Sequence, residues 1–130
     1  MTETGTSTYA STHELHGKLL SFELGAEAVA LNESAELAKS GRTAKTLVKE
    51  GTLRVTLVAI RKGASLESHQ VAGPVSIQAL SGSLKLTTDA GTVDLSAGSL
   101  VVLGAGVTHS AEAIEDCTLL LTLTIPAAAA

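Results

Sequence analysis

The sequence predicts an all-β protein, and three observations lead to that prediction. Between residues 43 and 125, short runs rich in Val, Leu, Ile and Thr follow one another, with glycines between them. Within these runs apolar and polar residues alternate with a period of two, as they do along a strand with one buried face. The runs recur at a spacing of about ten residues, which is typical of the strands of a β-sandwich or β-barrel.

The two ends of the chain differ in composition from its middle. Residues 1–16 are rich in Thr and Ser, and they predict a disordered tail because they cannot bury enough apolar surface to offset ordering. Four alanines at 127–130 predict a second tail. One domain is therefore expected over residues 17–126, a length that can bury a core of its own.

A helical segment is predicted near the start of this domain, over residues 26–40. Ala, Glu and Leu, which favour helix, are frequent there. Ser34 is a candidate N-cap within the segment, because its hydroxyl can accept a backbone N–H of the following turn. Gly41 stands where a C-cap glycine would end the helix.

Nine strands are predicted after the helical segment. In the last of them, Leu119, Leu121 and Leu123 share one face with Cys117, and threonines occupy much of the other face. Glycine turns separate most of the neighbouring strands. The predicted strands are 43–49, 52–61, 65–70, 74–81, 83–89, 92–96, 99–103, 107–114 and 117–125.

Several of these strands carry apolar residues on both faces. Val58 and Ile60 lie opposite Leu57 and Ala59, and the run 100–103 is apolar throughout. Two apolar faces imply that the outer face of the sheet is covered as well as the inner one. The cover is either the helical segment or a second subunit.

Composition and charge exclude several classes of partner. Aromatic residues make up 2% of the chain and the net charge is -4, so the protein is expected neither to stack on bases nor to bind a phosphate backbone. No apolar run approaches the ~20 residues of a membrane span, and no signal peptide opens the chain. A single cysteine, Cys117, excludes an internal disulfide. We therefore expect a cytoplasmic protein with no nucleic-acid and no membrane partner.

Two segments of the β-rich part combine glycines with a histidine at fixed spacing. The first runs from Gly63 to His69, and the second runs from Gly98 to His109 with further glycines at 104 and 106. Their spacing resembles that of the two motifs of the cupin superfamily, with Gly104 in the place of a proline. The resemblance implies a single cupin-type antiparallel β-barrel, or jelly roll, with a short N-terminal helical segment.

The resemblance also carries an expectation about metal binding. Cupins that hold a catalytic metal use two histidines and a glutamate of the first motif and one histidine of the second. At the matching positions this sequence has His69, Val71, Val75 and His109. The implied metal site is thus a partial one, formed by His69 and His109. The protein is therefore expected to require no cofactor. A divalent metal (Zn, Mn, Fe or Ni) is expected to bind to the two histidines only weakly.

Two functions stay open at this point. One is the binding of a small molecule in an apolar pocket formed by His69, His109, Val71, Val75 and Ile77, since the valines turn a metal site into an apolar cavity with two polar points. The other is a metal-dependent cupin enzyme of the dioxygenase, isomerase or lyase type, in which substrate oxygens complete the shell of the metal. Whether the protein is an enzyme is left open by these residues. Cupins commonly pair through an outer sheet face, so the resemblance also favours a homodimer.

Overall fold

The computed structural model of the chain describes residues 15–126, in which two short helices precede nine strands. Apart from residues 15 and 16, the predicted tails lie outside the described residues. Neither helix in this range is long and apolar enough to cross a membrane. The helices are α1 (Leu24–Asn32) and α2 (Ala35–Ser40), and the strands are β1 (Arg42–Glu50), β2 (Leu53–Ile60), β3 (Ser65–His69), β4 (Val75–Ser81), β5 (Ser83–Thr88), β6 (Gly91–Ser96), β7 (Leu100–Leu103), β8 (His109–Ala113) and β9 (Cys117–Thr124).

The strands form two antiparallel sheets. The first sheet has five strands in the order β1-β2-β9-β4-β7, and the second has four in the order β3-β8-β5-β6. Each predicted strand is present, with its ends within two residues of the prediction. The prediction of an all-β jelly roll with a short N-terminal helical segment is therefore confirmed. The barrel is not closed, because β1 and β7 remain edges of one sheet while β3 and β6 remain edges of the other.

The main core lies between the two sheets. Alternate residues of each strand point into it, such as Val58 and Ile60 of β2 and Cys117 and Leu119 of β9. The period of two in the sequence thus corresponds to burial on the inner face. The other buried members of this core are Val75, Ile77, Ala79, Leu84, Leu86, Leu95, Leu103, Ala111 and Ala113.

A second core lies on the outer face of the five-stranded sheet, under the helices. Leu57 and Ala59 of β2 belong to it, together with Leu47 of β1, Leu31 of α1 and Leu37 of α2. Strand β2 is apolar on both faces because one face borders the barrel core and the other borders the helices. The helical segment therefore covers this part of the outer face.

The ends of the helices follow the cap signals in the sequence. The Ser34 hydroxyl accepts the backbone N–H of Leu37 at 3.3 Å and caps α2. After α2, Gly41 adopts φ 83°, a left-handed conformation that favours glycine. At the end of α1, the Asn32 side chain donates a hydrogen bond to the Thr118 hydroxyl at 2.9 Å, which ties the helix to β9.

The two sides on which the sheets meet differ from each other. Between β1 and β3, the Arg42 guanidinium donates a hydrogen bond to the Ser65 carbonyl and so links the two sheets. Between β6 and β7 there is an open groove, lined in part by Val93, Leu100 and Val102, all three exposed. One side of the barrel is thus bridged by a side chain, and the other is open and apolar.

Candidate functional site

The two motif histidines lie side by side at one end of the second sheet. His69 is the last residue of β3 and His109 is the first residue of β8, and the two are partners in the ladder between these strands. Their ring centroids are 4.2 Å apart, with 58° between the ring planes. The pairing of β3 with β8 therefore brings the two motifs together.

Each imidazole is oriented by a backbone carbonyl two residues before it. His69 Nδ1 lies 2.9 Å from the Glu67 carbonyl oxygen, and His109 Nδ1 lies 3.0 Å from that of Val107. A carbonyl oxygen can only accept a hydrogen bond, so we assign the Nδ1 proton to both rings. In the neutral form of each ring, Nε2 then carries the lone pair, which is available to a hydrogen-bond donor or a metal ion.

A small apolar cavity lies against this histidine pair. Its volume is about 50 Å³. His109 is buried, with 6% of its surface exposed, whereas His69 is exposed. The cavity's polar lining consists of these two imidazoles alone, and the other lining residues are Leu66, Ile77, Leu84, Leu86, Ala111, Leu119 and Leu121. The site is thus a hydrophobic recess with two nitrogen acceptors at its edge.

Of the three aliphatic residues that were predicted to line the pocket, the structure places one at the cavity and two elsewhere. Ile77 of β4 is a lining residue of the cavity. Among the described residues, Val71 and Val75 are not part of the cavity lining. Val75 is buried in the barrel core, opposite Leu103 of β7, and Val71 lies in the loop before β4.

Two loops are hydrogen-bonded to each other at the end of the barrel beside the histidines. The Gly106 N–H donates to the Val71 carbonyl at 2.8 Å. The Gln70 side-chain amide donates to the Thr108 hydroxyl at 3.3 Å. Val71 therefore helps to hold the mouth of the barrel through its backbone. Gln70 and Thr108 are polar residues at this mouth that motif spacing did not single out.

The donor set does not fit a metal site made by the protein alone. Among residues 15–126 there is no group of three or more His, Cys, Asp or Glu side chains that could hold a metal ion. The cupin ligand positions at Val71 and Val75 carry no donor atom. The structure thus offers a metal two imidazole nitrogens, and water or substrate would have to supply the rest.

The fold is shared with several solved structures. A cupin superfamily protein from Desulfitobacterium hafniense DCB-2 has a TM-score of 0.63 and 18% identity, over 65% of this chain and 78% of that one. The protein has the cupin fold. A conserved protein of unknown function from Streptococcus pyogenes has a TM-score of 0.65 and 26% identity, over 87% of this chain and 91% of that one. Salicylate 1,2-dioxygenase from Pseudaminobacter salicylatoxidans has a TM-score of 0.73 and 17% identity, over 93% of this chain and 42% of that one.

The resemblance of the two sequence motifs to the cupin superfamily is therefore confirmed as a likeness of fold. No protein-family model matches the sequence, and no curated protein matches it significantly. The chain spans less than half of the dioxygenase chain, so that comparison concerns the barrel and not the reaction. In the site of this chain, the two motif histidines are adjacent, and the two other positions that match cupin ligands are valines.

Proposed function

We propose that this cupin binds a small molecule at the histidine pair. A hydrogen-bond donor of the ligand contacts Nε2 of His109 and His69, and a small apolar group of the ligand occupies the cavity. One observation carries the proposal: both Nδ1 atoms are occupied by carbonyl oxygens, which leaves both Nε2 atoms for a ligand beside an apolar recess.

The burial of His109 supports the same reading. A hydrogen bond that forms at a largely buried group is less exposed to competition from water, and one such bond typically contributes ~0.5–1.5 kcal/mol. A ligand hydroxyl or amide that reaches the His109 imidazole would gain this contribution. The exposed His69 lies at the outer edge, where the ligand meets solvent.

The cavity limits the size of the buried group. Its volume of about 50 Å³ is roughly a third of the ~150 Å³ that accommodates benzene in an engineered cavity. About two or three carbon atoms fit, and each buried methylene contributes ~0.8 kcal/mol. Contacts with Ile77, Leu119 and Leu121 would supply that contribution.

A fragment screen observed by NMR tests this function. Short alcohols, amides and carboxylic acids are added to the protein, and the imidazole resonances of His69 and His109 are followed. We expect the hits to shift these resonances and to bind His109→Gln at least about tenfold more weakly, since a buried hydrogen bond is lost. His16→Gln, which alters an exposed histidine outside the site, should bind them unchanged. Equal binding to His109→Gln and His16→Gln would contradict the proposal.

A two-histidine metal centre is the second candidate. It is supported by the carbonyl partners at both Nδ1 atoms, since metal-ligating histidines commonly donate their other N–H in this way. A divalent ion held by His69 and His109 would supply Lewis-acid chemistry toward a substrate oxygen, as an isomerase or lyase requires, and a dioxygenase would need a redox-active ion such as Fe there. Titration with Zn²⁺ or Ni²⁺ should give a dissociation constant of about micromolar or weaker, lost in His109→Gln. Protein that binds these ions equally well without His109 would exclude this centre.

We also propose that the protein forms a homodimer through the outer face of β7. The helices cover the outer face over β2, but Leu100 and Val102 of β7 remain 59% and 66% exposed. Strand β7 is an edge strand and carries no charged residue that would discourage pairing with another strand.

A further inference from the structure

Leu66 of β3 lines two cavities. On one side it lines the apolar cavity at the histidine pair. On the other side it lines a surface groove of about 250 Å³, together with Arg42, Thr43 and Ala44 of β1 and Val58 of β2. This second cavity, which we call the side groove, lies where the two sheets meet between β1 and β3.

The side groove combines an apolar floor with one cation. Ala44, Val58 and Leu66 supply the apolar surface. The Arg42 guanidinium uses an N–H of Nη1 on the Ser65 carbonyl, and it has five N–H donors in all. Among the described residues no carboxylate forms an ion pair with Arg42. The groove therefore presents a guanidinium whose charge is not neutralised.

The strand that carries Leu66 is weakly held in its sheet. Strand β3 is an edge strand that pairs only with β8, and its ladder is interrupted between Leu66 and His69. Most of its side chains are exposed, so packing constrains it less than the inner strands. Leu66 is the one described residue that lines both the side groove and the histidine cavity.

We propose that the side groove and the histidine cavity form one binding site for an aliphatic carboxylate that carries a hydroxyl at its far end. The carboxylate contacts Arg42, the chain lies along Val58 and Leu66, and the hydroxyl donates to His109 Nε2. This assignment rests on the function proposed above, because it uses the same histidine acceptor. A guanidinium binds a carboxylate through paired, charge-assisted hydrogen bonds, which is why the anionic end belongs at Arg42.

The combined volume agrees with a ligand of this size. The two cavities together have about 300 Å³, the lower end of the range for small-molecule sites. Since ~150 Å³ holds benzene, a chain of roughly six to eight carbons fits. The histidine cavity alone is too small for such a chain.

Calorimetric titration with three matched compounds tests the site. The compounds are 6-hydroxyhexanoate, hexanoate, which lacks the hydroxyl, and 1,6-hexanediol, which lacks the carboxylate. We expect 6-hydroxyhexanoate to bind at least about tenfold more tightly than either of the other two.

Variants of Arg42 test the contact with the carboxylate of the ligand, and variants of His109 test the contact with its hydroxyl. In Arg42→Gln the preference for 6-hydroxyhexanoate over hexanediol should vanish, and Arg42→Lys should retain part of it. Arg54→Gln is the matched control, since Arg54 also donates only to backbone carbonyls, those of Gly51 and Leu53, away from the groove. In His109→Gln the preference over hexanoate should vanish while the preference over hexanediol remains.

The outcomes separate this inference from the proposed function. If 6-hydroxyhexanoate binds no better than hexanediol to the natural protein, or if Arg42→Gln behaves like Arg54→Gln, the site at Arg42 is refuted and the histidine site stands. If the Arg42 effect is present but His109→Gln does not alter the preference over hexanoate, the proposed function fails for this ligand. The comparison of 6-hydroxyhexanoate with hexanediol uses the natural protein alone. It therefore tests the site even if Arg42→Gln destabilises the link between β1 and β3.

Discussion

The carboxylate of Glu27 and the ammonium of Lys45 lie 3.0 Å apart, between helix α1 and strand β1. Glu27 is 1% exposed and Lys45 is 31% exposed, so the pair is buried on its acidic side. Glu27 Oε2 has no hydrogen-bond partner among the described residues. Helix α1 is thus attached to the barrel by apolar packing and by a buried charge that needs its counterion.

Removal of Lys45 should therefore cost more than removal of both charges. Lys45→Met leaves the buried carboxylate without its counterion, and we expect a loss of ~2–3 kcal/mol in the free energy of unfolding. Glu27→Leu combined with Lys45→Met should restore most of that loss, because neither charge remains to be desolvated. Urea unfolding measures both values, and Lys49→Met, at an exposed position of β1, is the control. Additive losses in the double variant would contradict this account.

Comparison of alanine substitutions at Gly82 and Gly98 measures how much stability is lost when a turn glycine is closely packed against other atoms. Both have positive φ, 75° and 90°. A Cβ at Gly82 would lie 2.0 Å from the Asp116 carbonyl oxygen, whereas a Cβ at Gly98 would have nothing within 4 Å. We expect Gly98→Ala to cost ~1–2 kcal/mol for the backbone conformation alone, and Gly82→Ala to cost at least ~3 kcal/mol. Equal losses of stability on thermal unfolding would show that the turn after β4 can shift to accommodate the Cβ without a further loss of stability.

Asp116 should contribute to stability in a pH-dependent way. The backbone N–H of Lys62, 2.8 Å away, and then the Arg61 guanidinium hold the pKa of this carboxyl below its ordinary value of 3.8. A lowered pKa in the fold means that the contribution is complete above the unfolded value and is lost as the pH falls through the folded value. Asp116→Asn should therefore be less stable than the natural protein at neutral pH, and the difference should shrink below about pH 4. Urea unfolding at several pH values checks this, with Asp89→Asn as the control. A difference that does not change with pH would assign the effect to something other than this charge.

The proposed homodimer predicts a change of mass with two substitutions. Light scattering should give about twice the chain mass of 13.1 kDa for the natural protein. Leu100→Lys combined with Val102→Lys should give the monomer, because lysines on an edge strand oppose pairing. Thr46→Lys, at an exposed position of β1 on the opposite edge of the same sheet, should leave the dimer intact. A natural protein of monomer mass at micromolar concentration would refute the dimer.

The sequence was informative where burial depends on alternation. Leu119 and Leu121 were assigned to one face of their strand by the period of two, and both line the cavity. The same pattern shows that β2 is apolar on both faces, but not what covers the outer one. That depended on where the helices pack, which is a long-range property.

Motif spacing was less informative about depth in the barrel. It predicted Val71 and Val75 as pocket residues along with Ile77, yet the cavity lies at the level of Ile77. The position of a side chain along the barrel axis depends on the register between neighbouring strands. The sequence of a single motif does not specify that register. The difference in exposure between His69 and His109 has a similar cause, since β3 is an edge strand and β8 lies between β3 and β5.

The adjacency of His69 and His109 depends on the offset between β3 and β8, and that offset includes an irregularity between Leu66 and His69. Successive side chains of a strand point to opposite faces, so one residue gained or lost there would turn the His69 imidazole outward. The acceptor pair can therefore be dismantled while every residue that forms it is retained. The length of an exposed edge strand would therefore decide the proposed ligand site as much as the identity of any side chain.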